Sequence, residues 1–164
     1  MLREWTERNP IVANLLNPAF CGEIIRRSAA SYNANNGAKF PFAFSFLVLP
    51  ILLHKDTRER MPRSTNSYLF VWVEENEDLF YNFSKRAKEM VPFAKESMMF
   101  LLQNKLIEIN DKGQIEVPVK RMRKFQGEDL EECEMILRKS EMLGKWLSQS
   151  SNVNSVYSFF RIIP

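Results

Sequence analysis

Apolar residues recur at helical spacing near the start of the chain and predict a first long helix. Asn17 and Pro18 indicate where it begins, because asparagine caps free backbone amides and proline is favoured at the first helical position. Phe20 and Ile24 follow at the spacing of one helical face. The stretch "NANNG" ends the pattern, and Gly37 suits the left-handed cap that closes many helices.

An apolar run, "FPFAFSFLVLPILL", occupies residues 40–53. Its 14 residues are fewer than the ~20 that a membrane-spanning helix requires. The pattern therefore predicts a buried core helix with a kink near Pro50, whose ring would crowd the carbonyl of Phe46. A strand stays open as an alternative, because phenylalanine and valine are good strand formers.

Helical periodicity resumes after a charged stretch and then gives way to alternation. "STNSYLFVWVEEN" and "DLFYNFSKRAKEM" each predict a helix, and a third is predicted to begin at Pro92. From Ile107 to Val117 apolar and acidic residues alternate around a turn that contains Gly113, which indicates a hairpin. Helices followed by a two-stranded hairpin predict a winged-helix-like core over residues 66–118.

The longest predicted helix runs from Glu128 to Gln149, after the basic connector "KRMRKFQ". Its acidic residues lie in the first turns and its basic residues later, an order that complements the helix dipole. Two apolar stripes follow it, so it needs cover on two sides, from its own domain and from a partner. The first stripe contains Leu130, Cys133, Leu137 and Leu147, and the second contains Met135, Met142 and Trp146.

These elements predict one domain over residues 1–164, mainly α-helical with a small β-hairpin. N-terminal helices and a basic loop occupy residues 17–65, ahead of the winged-helix-like core. The long C-terminal helix and an apolar docking tail occupy residues 119–164. The chain length suits a single domain, and 45% hydrophobic residues are enough for a sizeable core.

Charge and cysteine content narrow the class of protein. The net charge of +3 is too balanced to indicate a nucleic-acid-binding protein unless basic residues cluster. Cys21 and Cys133 fit no pairing or metal-ligand spacing, which is typical of reduced thiols in a cytoplasmic protein. The charged N-terminus "MLREWTERNP" lacks the apolar run of a signal peptide. We therefore expect a cytoplasmic protein without a membrane segment.

Candidate chemistry centres on His54, the only histidine. With Asp56 it could form a catalytic dyad, but residues two apart on a helix face different directions. Metal sites built from several histidines or cysteines are excluded by number, and neither GxxxxGK[ST] nor GxGxxG occurs among five glycines. The sequence therefore predicts a non-enzyme with no cofactor, no metal and no small-molecule substrate.

A winged-helix DNA-binding regulator is the alternative function. The helix before the wing, predicted over Pro92–Lys105, is largely apolar, and the wing is more acidic than basic, which argues against reading of a DNA groove. A first basic cluster, within residues 54–63, is expected to pack locally because acidic residues lie beside it. A second cluster fits a solvated loop as well as it fits contact with phosphates or an acidic partner. Its members are Lys120, Arg121, Arg123 and Lys124.

The apolar content indicates a subunit of a larger assembly. There are 13 phenylalanines and 8 methionines, and both residue types are enriched at protein interfaces. The alternating phenylalanines of residues 40–46 would spread around a helix, and a small monomer rarely covers every side of one helix. The expected partner-binding residues are Phe42, Phe46, His54, Lys55, Arg58, Arg63, Met135, Met142 and Trp146.

Several blocks of the sequence resemble a known family. They are "NPAF", "FLVLPILLHKDTRERMPRST", the following Trp72, "RAKEMVPFAKESMMFLLQNKLIEI", "LGKW" and "SVYSFFRIIP". Over about residues 9–164 the chain resembles the middle component of bacterial three-component ABC-ATPase systems, which are conflict or anti-phage systems of the Lamassu type. The resemblance implies a small protein that joins an SMC-like ABC ATPase to an effector, often a nuclease. It also implies a likeness to the winged-helix subunits that seat on SMC ATPase heads, and it carries over no catalytic residues.

Overall fold

A computed structural model describes residues 2–118, 129–150 and 152–162. Within them the chain is mainly helical with one small antiparallel sheet, which confirms the predicted fold class. The helices are α1 (Pro10–Leu15), α2 (Pro18–Asn36), α3 (Ser45–Leu52), α4 (Lys55–Arg60), α5 (Leu69–Glu75), α6 (Phe83–Gln103), α7 (Leu130–Ser148) and α8 (Val153–Phe159). The strands are β1 (Phe40–Pro41), β2 (Glu108–Ile109) and β3 (Gln114–Glu116), and short 3-10 helices lie at Trp5–Glu7, Phe42–Phe44 and Glu77–Phe80. In these ranges no helix combines the length and the apolar character needed to cross a bilayer.

Helix α2 begins and ends where its sequence predicts. The side-chain oxygen of Asn17 accepts the backbone N–H of Ala19 at 2.8 Å, and Pro18 occupies the first helical position. Gly37 closes the helix with a left-handed φ of 72°. Because α3, α6 and α7 all pack against α2, this helix is the axis of the core.

The apolar run of residues 40–53 is only partly helical, which corrects the predicted helix. Its first two residues form β1, and α3 begins only at Ser45. Phe40 pairs with Ile115 of the hairpin, so strand contacts hold this part of the backbone. The strand alternative is thus right for the start of the run, and Pro50 lies inside the helix that follows.

The predicted hairpin is present and has a third strand beside it. Strands β2 and β3 pair antiparallel around a turn in which Gly113 has a φ of 68°. Strand β1 pairs with the other edge of β3, giving the order β1-β3-β2. Asn33 of α2 fastens the sheet to the core, because its side chain accepts the Phe40 N–H at 2.7 Å and donates to the Ile115 carbonyl at 3.0 Å. This order is compatible with a winged helix, although β1 lies outside residues 66–118.

Helix α6 is continuous, where the sequence predicted two helices with the second beginning at Pro92. The proline lies inside the helix, so one backbone hydrogen bond is missing there. Packing of one buried stripe against α2 and α3 outweighs that loss. The stripe runs across the proline and is formed by Phe83, Ala87, Ala94, Met98 and Leu101.

The segment predicted as a basic loop after α3 is a helix, α4. His54 caps it: its Nδ1 accepts the backbone N–H of Thr57 at 3.3 Å and lies 2.7 Å from the Thr57 hydroxyl. Serine, threonine, aspartate and asparagine are the usual N-caps. Because histidine is not among them, the sequence showed no recognisable start for this helix.

Helix α7 completes the core, and the tail packs onto the same core. A Cβ added at Gly144 of α7 would lie only 2.0 Å from the carbonyl oxygen of Ser28 on α2, so these two backbones approach very closely. In α8 the Tyr157 hydroxyl donates to the Ala43 carbonyl at 2.6 Å. The apolar tail is therefore a packed element of this fold.

Candidate partner-binding surface

Trp146, a predicted partner-binding residue, belongs to the core. Its side chain is fully buried, its indole N–H donates to the Ser67 carbonyl at 2.7 Å, and its ring lies 5.3 Å from that of Trp72. Met135 and Met142, on the same predicted stripe, are half-buried. The largest member of this stripe is thus covered by the chain itself, because the indole contacts α5 and the segment before it.

Arg58 is the buried member of the basic cluster in α4. Only 4% of it is exposed, and its guanidinium donates to the Leu52 carbonyl at 2.9 Å and to the Glu132 carboxylate of α7. Lys139 of α7 reinforces this contact by donating to the Met61 carbonyl at 2.9 Å. Arg58, which the sequence predicted to bind a partner, is thus packed inside this fold, and its carboxylate partner is Glu132 of α7 and not one of the neighbouring carboxylates of α4.

The other predicted residues of this segment are closer to the surface. His54 is half-buried, and burial, with a smaller contribution from the Arg86 charge, lowers its pKa. Lys55 is exposed and lies 3.7 Å from the Glu59 carboxylate, and Arg63 is exposed. Contact of these three side chains with a partner stays a prediction.

The alternating phenylalanines divide between two environments. Phe40 and Phe44 are buried, with ring centroids 5.8 Å apart. Phe42 and Phe46 are half-buried, and their rings meet edge to face at 5.4 Å. The two predicted partner-binding phenylalanines therefore form one pair at the margin of the core.

The second basic cluster lies outside the described residues. Its members are Lys120, Arg121, Arg123 and Lys124. Their contact with nucleic acid or with an acidic partner stays a prediction.

A groove, called the α1–α7 groove below, separates α1 from the beginning of α7. Its volume is about 610 Å³, within the range of pockets that bind ligands, ~300–1,000 Å³. Helix α1 contributes Val12 and Leu15, which are 40% and 65% exposed, and α7 contributes Leu130, which is 40% exposed. Phe20 and Ile136 also line the groove. Apolar side chains therefore dominate a concave surface that faces solvent.

Sequence reasoning missed α1, although a signal for it exists. The Asn-Pro pair at 9–10 repeats the pair at 17–18, and the Asn9 side chain accepts the Ile11 N–H at 2.9 Å just as a helix cap does. What no local pattern shows is the direction of its side chains. Ala13 is the only buried residue of α1, so most of this apolar helix faces outward.

Carboxylates define the α7 edge of the groove. Arg58 engages one oxygen of Glu132, whose side chain remains 54% exposed. Asp129 lines the same edge, is exposed, and forms no ion pair with any other described residue. The Cys133 thiol also lines the groove, and burial, followed by the charges of Asp129 and Glu132, raises its pKa. Two carboxylates against one buried guanidinium make this edge acidic.

The protein is thus mainly helical, with one small sheet and a groove whose apolar side chains are exposed. The family model for the Middle Component 3 of ABC-three component (ABC-3C) systems matches residues 5–164, and the chain belongs to this family. A middle component of such a system implies partner subunits. No curated protein and no solved structure matches the chain. The resemblance found in the sequence is thus confirmed for a middle component of a three-component ABC system.

Proposed function

We propose that this chain is a non-catalytic adaptor in a cytoplasmic anti-phage or anti-plasmid defence complex of the Lamassu type. In this role it links an SMC-like ABC ATPase to an effector, which we take to be a nuclease. The observation that carries the proposal is the family match over residues 5–164, since a middle component needs components on either side of it.

Two structural features support an adaptor. The α1–α7 groove leaves the apolar side chains of Val12, Leu15 and Leu130 in solvent, and exposed apolar patches mark protein interaction sites. The strand order β1-β3-β2 is compatible with the winged-helix subunits that seat on SMC ATPase heads.

The position of His54 supports a non-catalytic role. The only histidine of the chain is used as a helix cap, with Nδ1 directed at the Thr57 backbone and hydroxyl. General-base chemistry requires that a free ring nitrogen reach a substrate proton, usually with a third group to orient the ring. The capping contact occupies the nitrogen that such an orienting group would use.

Co-expression with the genomic neighbours tests the proposed function. The tagged chain is expected to co-purify with an ABC ATPase and an effector in one complex, measured by size-exclusion chromatography with light scattering. Purification of the chain as a stable monomer from such cells would contradict it.

A variant at His54 separates assembly from chemistry. His54→Asn retains a good capping side chain, so the variant is expected to assemble and to protect cells from phage as well as the natural chain does. Full assembly with loss of protection would instead indicate catalysis at His54.

A further inference from the structure

We propose that the α1–α7 groove binds a helix of another subunit of the same system, with an apolar face toward the groove and a lysine or arginine against Asp129 and Glu132. The inference rests on the proposed adaptor function and specifies the chemistry of its contact. Three observations carry it: the orientation of α1, the shape of the groove and the charge at its α7 edge.

Helix α1 is built as half of an interface. It has six residues, and helices this short are not stable in water without packing. Only Ala13 is buried, whereas Leu15 is 65% exposed and Ile11 is 68% exposed. A second helix laid along the groove would cover Val12, Leu15 and Leu130 together, because these side chains line its two walls.

The carboxylates select a basic occupant. Glu132 is held in place by the buried Arg58, whose guanidinium donates to this carboxylate and to the Leu52 carbonyl. The exposed part of Glu132 therefore presents a fixed acceptor at the groove edge, and a fixed acceptor loses little entropy on binding. Asp129 adds a second carboxylate a short distance along the same edge.

The helix dipole does not account for the whole arrangement. Carboxylates in a first turn are stabilised by the dipole wherever they point. Glu131 serves that purpose without lining the groove, since it lies two residues from Asp129 and faces another side of α7. Asp129 and Glu132 are distinguished by facing the apolar surface, where they can pair with a cation flanking an apolar segment.

Two pairs of variants test the proposal in the full chain, titrated against the other two components of the system. Val12→Glu/Leu15→Glu places charges in the groove, and its control is Val71→Glu/Tyr68→Glu, at positions of matching exposure (44% and 66%) that do not line it. Asp129→Lys reverses the charge at the groove edge, and its control is Glu131→Lys on the same turn. The side chain of Asp129 makes no capping hydrogen bond, so its replacement removes none.

We expect each groove variant to raise the Kd for the other components by about tenfold or more, and each control to leave it within about twofold. Equal effects of Asp129→Lys and Glu131→Lys would overturn the basic occupant, and unchanged binding by Val12→Glu/Leu15→Glu would overturn the groove while the adaptor function stood. Absence of any complex with the natural chain would defeat the adaptor function first.

Carbodiimide crosslinking of the assembled complex identifies the occupant independently of variants. Crosslinks from Asp129 or Glu132 to a lysine of another subunit, or protection of both carboxylates on assembly, are the expected results. Crosslinks to Lys120 or Lys124 of the same chain, or to a second copy of it, would overturn the proposal, since the groove would then be filled by this protein itself.

Discussion

Single side chains set the positions of whole elements in this protein. His54 begins α4 by capping it, and four residues later Arg58 points beneath α7 and meets Glu132. Asn33 does comparable work for the sheet through one acceptor and one donor bond. Polar and charged side chains therefore serve here to connect elements of the fold.

The pKa of His54 provides a prediction at this scale. Burial first, then the charges of Arg86 and Arg58, lower the pKa in the folded chain, with Asp56 opposing them. A lowered folded-state pKa means that the unfolded chain binds the proton more readily. The stability that depends on neutral His54 is present above the ordinary value of about 6.5 and is lost as the pH falls below it.

We therefore expect the urea concentration at the midpoint of unfolding to be lower at about pH 5.5 than at about pH 7.5. The decrease should be smaller in His54→Asn, which keeps a capping group but does not titrate. Unfolding followed by circular dichroism at both pH values measures the difference. An identical fall in both proteins would assign the pH dependence to carboxylates.

At the scale of elements, the contact of α2 with α7 organises the core. Gly144 allows the backbones to approach, and the Ser28 hydroxyl donates to the Ser140 carbonyl across the contact at 2.9 Å. A carbonyl oxygen cannot move aside as a side chain can. The absence of a Cβ at this one position therefore determines how closely α2 and α7 pack.

The variant Gly144→Ala distinguishes the effect of this contact on stability from the effect of helix propensity. Propensity alone predicts a gain of about 1 kcal/mol for alanine over glycine inside a helix. Because the new Cβ would lie 2.0 Å from a carbonyl oxygen, we expect instead a loss in the free energy of unfolding of about 1–3 kcal/mol or more. Denaturant unfolding measures the sign.

Gly22→Ala is the matched control. Its Cβ would lie 3.2 Å from the Leu101 side chain, which would need to shift by only a few tenths of an ångström. We expect a smaller loss or a gain there. Similar losses at both glycines would show that the close approach at Ser28 is not what governs the effect.

The elements that sequence patterns predicted well are those defined by neighbours in the chain. The cap and proline at the start of α2, its closing glycine and the alternation of the hairpin all act within a few residues. The errors have distant causes. Phe40 becomes a strand because Ile115 lies beside it, and Pro92 stays inside α6 because a stripe on both sides of it is buried against other helices.

At the scale of the whole molecule, the charge of the hairpin bears on the class of partner that the chain can bind. Exposed apolar residues lie on α1 and at the start of α7, and others lie on α5, on α6 and in the hairpin. The hairpin also presents Glu108 and Asp111 to solvent beside Lys112. An acidic hairpin repels phosphate. This distribution favours protein contacts over nucleic-acid contacts for the described part of the chain.

We accordingly expect the isolated chain to bind duplex DNA no more tightly than proteins that bind DNA non-specifically. The Kd should be about 10⁻⁶ M or weaker near physiological salt. Fluorescence anisotropy at two salt concentrations measures this. Tight binding that disappears when Lys120, Arg121, Arg123 and Lys124 are replaced by glutamine would favour the DNA-binding regulator instead.

The candidate site shows where sequence reasoning ends. Arg58 and Trp146 were both expected at an interface and are both buried, and the groove beside α1 was not foreseen. Hydrophobic periodicity identifies the apolar side of a helix. It does not show whether that side meets the same chain or solvent, because the answer depends on elements that are distant in the sequence.

The amino-acid sequence by itself determined the mainly helical class, the caps and closing turn of α2, the hairpin and the family. These depend on local backbone preferences and on the identity of neighbouring residues, which any stretch of sequence displays. Only the tertiary structure decided which stripes are core, that β1 joins the sheet, and that Val12, Leu15 and Leu130 face solvent across one groove. Burial is a property of the assembled chain, and it arises from distant contacts that no local pattern contains.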